Sequence, residues 1–272
     1  MPRCKEEWLE IAQEFELKWQ FPHCLGALDG KHISILPPPN SGSQYYNYKH
    51  FFSIVLLALV DANYRFLYVD IGCCGRVSDG GVYNNSSLAK AFTDNSLDIP
   101  ADTHLSGSDI ITPYVVVADD AFALKPHQMK PFNYRQLTTE KQVFNYRLSR
   151  ARRVVEHAFG MLSQRFRVFG KAIPLSPEKA QVIAMAACCL HNFLLRSRVS
   201  ADCYMQTPLA VMQWLEWPAC QNKEATGMQQ MPALFVTSSA STSTAPKEQS
   251  AGKVHRWNTC SLNSLVWIPE LK

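Results

Sequence analysis

Apolar residues recur along the chain at changing intervals, and the intervals predict the elements. From Glu7 to Trp19 the apolar positions Trp8, Ile11 and Phe15 keep helical spacing until Pro22 interrupts them, which predicts a helix. Cys24 to Leu28 is a short apolar run followed by Asp29-Gly30, the pattern of a strand leading into a turn. Ile33 to Leu36 reads as a continuation of that sheet before Pro37, Pro38 and Pro39. Phe51 to Val60 is apolar apart from Ser53. Asp61-Ala62-Asn63 has turn chemistry and Tyr64 to Gly72 alternates, so the three segments predict a β-hairpin. Gly75 to Gly81 reads as a loop and Tyr83 to Phe92 as a helix.

In the second half, Val115 to Ala118 has the pattern of a buried strand that ends at Asp119-Asp120. Ser149 to Phe169 predicts a long helix with Ser149 as its cap and Val155, Ala158 or Phe159, Leu162 and Phe166 as its apolar stripe. Pro177 to Ser197 predicts another, apolar nearly all round from Val182 to Leu190 and therefore deeply packed. No internal repeat is evident. The order of strand, hairpin, helix, strand, helix and helix specifies a mixed α/β core. Composition changes after about Ser200, and Thr237 to Ala245 (TSSASTSTA) is low-complexity sequence that predicts disorder.

Composition narrows the class. With 272 residues, 47% hydrophobic and 18% charged, the chain can bury a sizeable core, which excludes wholesale disorder. No run of apolar residues is long enough and free enough of charge to predict a membrane span. Met1 to Glu16 carries five glutamates and no apolar stretch of the kind a secretory signal needs. The nine cysteines include two adjacent pairs, Cys73-Cys74 and Cys188-Cys189, which suit a reducing setting better than a disulfide framework. Net charge is only +4, but Lys125 to Lys171 holds 11 basic and two acidic residues, and the remainder holds 16 basic and 21 acidic. A basic segment on a mildly acidic body is the footprint of a phosphate-binding face, or else a solvated helical surface.

Three acids stand where such a core places its chemistry. Asp29 follows one apolar strand, Asp119 follows another, and Glu156 lies beside the apolar stripe of the first long helix. If the two strands are neighbours, both aspartates project from the edge at which α/β sheets bind ligands, and the helix can bring Glu156 across. Three converging carboxylates repel one another and are tolerable only with cations between them. A carboxylate set without nearby Cys or His selects Mg²⁺ or Mn²⁺. Two such ions roughly 4 Å apart form a site for in-line phosphoryl chemistry. Singly, each acid has a plain alternative: Asp-Gly is a common turn, Asp119-Asp120 a common strand end, and a Glu beside Arg152 and Arg153 a surface ion pair. Taken with the basic segment that leads into Glu156, they point to metal-assisted phosphodiester chemistry.

Several ordered motifs carry a resemblance. GALDGKHISI at Gly26–Ile35, SGSQYYNYKHFFSIVLLALVDANYRFLYVDIGCCGRVSDGGVY at Ser41–Tyr83, YVVVADDAFAL at Tyr114–Leu124 and FNYRLSRARRVVEHAFGMLSQRFRVF at Phe144–Phe169 resemble the PIF/Harbinger transposase-derived nucleases, which have a DDE superfamily endonuclease domain. The resemblance covers roughly Phe21 to Arg196. It implies an RNase H-like fold, a mixed sheet flanked by helices, with a catalytic triad of Asp29 in LDG, Asp119 three residues before Phe122, and Glu156 in RRVVEHAFG. Asp120 becomes the less constrained neighbour. Similar proteins also give a metal-binding role to the acid at Asp79 in RVSDGG, which the sequence alone reads as a turn residue. The implied activity is attack of water, activated by Mg²⁺ or Mn²⁺, on a DNA phosphodiester; a transposase would then reuse the freed 3′-hydroxyl for strand transfer.

The resemblance also implies DNA as substrate and a separate Myb-like DNA-binding partner that helps bring such proteins to the nucleus, with the cytoplasm as a second compartment. Family members usually carry a helix-turn-helix region ahead of the first acid, and only 28 residues precede Asp29 here. The expected organisation is an N-terminal helix at 1–20, the endonuclease domain at 21–198 and a divergent, partly disordered tail at 199–272. Arg150, Arg152 and Arg153, with Arg165 and Arg167, form a basic surface suited to the DNA backbone. Tyr45, Tyr46, Tyr48, Lys49 and His50 interleave aromatic and basic residues as a base-stacking platform would, but packed tyrosines at a strand entrance are the preferred reading. Cys188-Cys189-Leu190-His191 belongs to a packed helix, because adjacent helical cysteines point in different directions. Two other readings remain open: a catalytically inactive DNA- or protein-binding module, and a phosphatase with strand-end aspartates.

Overall fold

The computed structural model describes residues 1–105, 109–133, 135 and 137–196. The Ser/Thr-rich stretch and the tail expected at 199–272 lie outside the described residues. Helix α1 (Lys5–Trp19) buries Trp8, Ile11, Ala12 and Phe15 on one face and ends at Gln20, whose left-handed backbone turns the chain into the sheet. Five strands follow in one mixed sheet: β1 (Cys24–Ser34), β2 (Ser53–Val60), β3 (Phe66–Cys74) and, after two small strands β4 (Thr103–His104) and β5 (Ile111–Thr112) that pair with each other, β6 (Val115–Val117) and β7 (Gln128–Met129). Their spatial order is β3-β2-β1-β6-β7. The first three strands are antiparallel, and β6 and β7 run parallel to β1. A mixed sheet with helices packed against it is the architecture implied by the resemblance, and it is consistent with an RNase H-like fold.

The strands form where the apolar pattern demands burial. Every residue of β2 is buried, as the seven apolar residues after Ser53 require of a strand covered on both faces. The predicted hairpin closes at Asp61, whose buried carboxylate accepts hydrogen bonds from the main-chain N–H groups of Asn63 and Arg65 and from Arg65 Nε. The first strand corrects the sequence reading. Asp29-Gly30 is not a turn: β1 runs straight through it, and its pairing with β2 continues unbroken from Ala27 opposite Val60 to Ser34 opposite Ser53. Ladder hydrogen bonds on that side override the local turn preference.

The helices also depart from expectation at their ends. The predicted helix over Tyr83–Phe92 is two short ones, α2 (Asp79–Asn85) and α3 (Ser87–Thr93), because Ser86 stops the first and its hydroxyl caps the second at Ala89 N–H. Helix α4 (Thr139–Arg165) begins ten residues before Ser149, capped by Thr138, whose hydroxyl accepts from Lys141 N–H. Ser149 is interior to it. Val155, Ala158, Phe159 and Leu162 form its buried stripe against β1 and β6, and a short 3₁₀ turn at Arg167–Gly170 follows. Helix α5 (Pro177–Arg196) packs on β3 and β2 through Ala180, Ala184, Ala187, Cys188 and His191. Its other side is open rather than deeply packed, with Val182 and Phe193 each nearly 70% exposed. Cys188 is buried and Cys189 exposed, so the two thiols do point apart.

Candidate active site

Parallel pairing of β1 with β6 sets Ala27 opposite Val117. Two residues further on, each chain reaches its acid, so Asp29 and Asp119 fall at one level of the sheet. Asp29 Oδ1 accepts from its neighbour Gly30 N–H at 2.9 Å. Asp119 Oδ1 accepts from Ala121 N–H at 2.9 Å, which bends the chain away past the strand end. Asp120 is 80% exposed in its side chain and pairs with Lys130 Nζ at 3.0 Å, so the two adjacent aspartates are separated by their surroundings.

Asp79, the first residue of α2, lies over β1. A Cβ placed on Gly30 would stand 2.1 Å from Asp79 Oδ1, a contact no side chain could make. The start of α2 is equally close to the loop after Asp119: a Cβ on Gly80 would meet Ala121 O at 2.8 Å. Two glycines thus let the start of α2, with Asp79, pack closely on β1 beside Asp29 and on the loop that follows Asp119. Asp79 Oδ1 is buried without a hydrogen-bond partner, a costly state for a carboxylate oxygen.

Glu156 is carried by α4, which packs on β1. Its side chain is 45% exposed and forms an ion pair with Arg152, one turn earlier on the same helix. Arg152 is the more buried partner, and its Nε has no acceptor. Burial opposes the guanidinium charge, but Glu156, Asp29 and Asp119 outweigh it and hold that charge more firmly than usual. One arginine is therefore the counter-ion shared by all three acids of the expected triad. Burial raises the Asp29 carboxyl to about 7; Asp119 and Asp79 push in the same direction, while Arg152 and the Gly30 N–H oppose it. Burial likewise raises Asp79 to about 6, with Asp119 adding to it and Lys49 opposing. Two carboxylates that resist ionisation beside a third are short of positive charge.

Among the described residues, no three His, Cys, Asp or Glu side chains are placed so as to hold one metal ion together. Glu156 accounts for part of this, since it is turned to Arg152. The donor chemistry still fits a hard cation: Asp29, Asp79 and Asp119 supply only oxygen, the group is poor in positive charge, and one buried oxygen lacks a partner. The other expected arginines are arranged differently from Arg152. Arg150 donates to Gln20 Oε1 at 2.9 Å and lies 6.0 Å from the Tyr146 ring centroid, and Arg153, Arg165 and Arg167 are exposed.

Residues 28–192 match the family model described as DDE superfamily endonuclease. The chain belongs to that family. The matched stretch contains Asp29, Asp79, Asp119 and Glu156. Among curated relatives, the chain is 28% identical over 190 residues to "Protein ALP1-like" of Arabidopsis thaliana, covering 68% of this chain and 46% of that protein. It is 26% identical over 198 residues to "Putative nuclease HARBI1" of Xenopus laevis, covering 72% and 53%, and 28% identical over 177 residues to its Homo sapiens counterpart, covering 64% and 46%. The chain thus spans about half the length of these relatives. No solved structure matches it.

In this DDE endonuclease domain the sequence reading named the four acids but missed what surrounds them. Lys31, two residues after Asp29, is half-buried with its ammonium 5.9 Å from the Phe159 ring centroid. Burial and Lys49 make that ammonium easier to deprotonate, against the pull of Asp29. Tyr48 stands 5.5 Å from His32, which shares with Gly30 the face of β1 that Asp79 covers, and the charge of Lys49 bears on Asp79, Lys31 and His32. The aromatic and basic interleaving was the available signal, set aside in favour of packed tyrosines. Tyr48 is in fact 72% exposed.

Proposed function

We propose that this chain is a Harbinger-type, transposase-derived DNA endonuclease that hydrolyses phosphodiester bonds with divalent metal, Mg²⁺ or Mn²⁺, by a two-metal mechanism. The observation that carries the reading is the placing of Asp29 and Asp119 at one level of the sheet, with Asp79 packed on the adjoining Gly30 and Arg152 answering to Asp29, Asp119 and Glu156. Asp29, Asp119 and Glu156, with Asp79, would hold the metal, and bound metal supplies the activated water and stabilises the leaving oxygen. The chain's own residues do the rest. Gly30 and Gly80 let α2 bring Asp79 close to β1 and to the loop after Asp119. Arg152 offsets their charge and steadies Glu156 on the helix. Lys49 and Lys31 draw the phosphodiester toward the carboxylates. Exposed Arg153 and Arg165 take the DNA backbone to either side, with Arg150 contributing once released from Gln20. A nuclear setting and a Myb-like DNA-binding partner belong to the same proposal.

A second reading draws on one observation: Glu156 is engaged by Arg152. A domesticated domain that binds DNA or protein without cutting would show that arrangement. The test is nicking of supercoiled plasmid in Mn²⁺, with wild type and Asp119→Asn purified in parallel. Nicking by the wild type alone supports the endonuclease. A folded wild type that binds DNA and Mn²⁺ but never nicks, with or without a DNA-binding partner, supports the binding module.

A further inference from the structure

The segment after the proline run returns to the sheet through a loop whose shape is fixed from inside. Asn47 is buried, and its Oδ1 accepts from the main-chain N–H groups of Lys49 at 2.9 Å and Phe51 at 3.2 Å. Its Nδ2 donates to Ser53 Oγ at 2.9 Å, and Ser53 Oγ lies 2.9 Å from His32 Nδ1 on β1. Main-chain bonds from Asn47 N–H to Phe51 O and from Ser53 N–H to Tyr45 O close the loop, and His50 takes a left-handed backbone at its tip. The base of the loop is crowded, since a Cβ on Gly75 would meet Ser53 Oγ at 2.2 Å and Tyr45 O at 2.7 Å. Such a loop has little conformational freedom left to lose on binding.

This frame holds the ring of Tyr48 outward. Tyr48 is exposed although its ring stands edge-on to His32, with centroids 5.5 Å apart, and Lys49 Nζ lies 5.4 Å from its centroid. His32 is two residues along β1 from Gly30 and so shares the face on which Asp79 packs, and the charge of Lys49 reaches Asp79. A rigid, exposed ring paired with a cation, set beside an acid cluster that handles phosphodiesters, has the components of a nucleotide-stacking site.

We propose that the Tyr45–Phe51 loop is a platform for an unpaired nucleotide of the DNA substrate next to the bond to be cut, with Tyr48 stacking on the base and Lys49 on the adjoining phosphate. The proposal rests on the endonuclease reading and extends it to substrate class: duplex that is opened, gapped or frayed at the site is preferred over uninterrupted duplex. Asn47 acts as a positioning residue, since it holds the loop without touching DNA.

The test uses the full chain in Ca²⁺, which supports binding without hydrolysis. Two duplexes of the same sequence are compared, one continuous and one with a short gap bearing 2-aminopurine. Wild type and Tyr48→Phe should quench the 2-aminopurine and bind the gapped duplex more tightly. Tyr48→Ala should lose the quenching and weaken gapped binding by roughly 10-fold or more, the scale of one base-stacking contact. Its binding to continuous duplex should change little. Asn47→Ala should blunt quenching in proportion to the loosened loop, and Lys49→Ala should weaken gapped binding while keeping the quench. Equal quenching by Tyr48→Ala and wild type overturns the platform and leaves the endonuclease reading intact. Failure of the wild type to bind either duplex overturns both.

Discussion

Gly30 and Asp79 show how much of the site depends on an absent side chain. The backbone of β1 at Gly30 is ordinary extended strand, so glycine is not needed there for conformation; it is needed because Asp79 Oδ1 occupies the place of a Cβ. Gly30→Ala should push Asp79 away and lower Mn²⁺-dependent nicking at least about 10-fold, the scale set by a misplacement of about 1 Å at a catalytic centre. Far-UV circular dichroism should remain native, and nicking within a factor of two of wild type would refute the assigned role. Asp29 gives a pH prediction. Its carboxyl titrates near 7 in the fold against 3.8 in the open chain, so between those values the folded state binds more protons. Stability without divalent metal is therefore greatest below about pH 4 from this group, and is lost as pH rises through 7. Asp79, raised to about 6, adds to the same trend. Asp29→Asn keeps an acceptor for Gly30 N–H and removes the charge. It should raise the metal-free melting temperature at pH 8 by several degrees, flatten its pH dependence and abolish stabilisation by Mn²⁺. A melting temperature that rises with pH in the metal-free wild type would contradict this account. The sequence showed Asp29 and Asp119 because both follow apolar runs. It could not show Asp79 as more than a turn residue, because its role arises from packing over a strand some fifty positions earlier in the chain.

At the level of elements, pattern was reliable where one physical effect dominated and unreliable where two competed. The wholly buried β2 and the α1 stripe formed as read, because burial alone decides them. At Asp29-Gly30 turn propensity competed with an eight-pair ladder and lost. At Ser149 cap preference competed with continuation of a helix already capped at Thr138, and lost again. In α5 an apolar composition suggested burial on every side, but a helix laid on β3 and β2 covers one face only. What fixes α5 to the sheet is partly polar. Asn192 accepts from Phe66 N–H at 2.9 Å through Oδ1 and donates to Phe66 O at 2.8 Å through Nδ2, saturating the start of β3 at the sheet edge. Asn145 clamps α4 to Phe132 in the same two-way manner, at 2.8 and 2.9 Å. Replacing Asn192 by Ala strands one donor and one acceptor and should cost about 1–3 kcal/mol. Chemical denaturation would read that loss, and a midpoint unchanged from wild type would show that water satisfies the strand edge equally well.

Across the whole molecule, charge is divided between two tasks, and Arg152 marks the division. The basic stretch Lys125–Lys171 appears in the sequence as a single feature, +9 against −5 for the remainder. In the fold it separates. Lys130 neutralises Asp120, Arg152 is drawn into the acid group, and Arg153, Arg165 and Arg167 remain outside. Sequence could not foresee this, because Arg152 and Arg153 are neighbours and only the helix rotation sends one inward. The distinction can be measured through ionic strength. Each cation that neutralises a duplex phosphate steepens the dependence of log affinity on log salt by about 0.9. Arg153→Ala with Arg165→Ala should therefore shallow the slope by up to about 2 and weaken binding uniformly across DNA sequences. Arg152→Gln should leave the slope unchanged and instead lower metal-free stability at pH 8, because Asp29, Asp119 and Glu156 lose their common counter-ion. Mn²⁺ should then restore that stability more strongly than it stabilises the wild type. A slope that shallows for Arg152→Gln and not for the exposed pair would mean that the inward arginine, and not the outer surface, carries the DNA, and would reverse the division drawn from the fold.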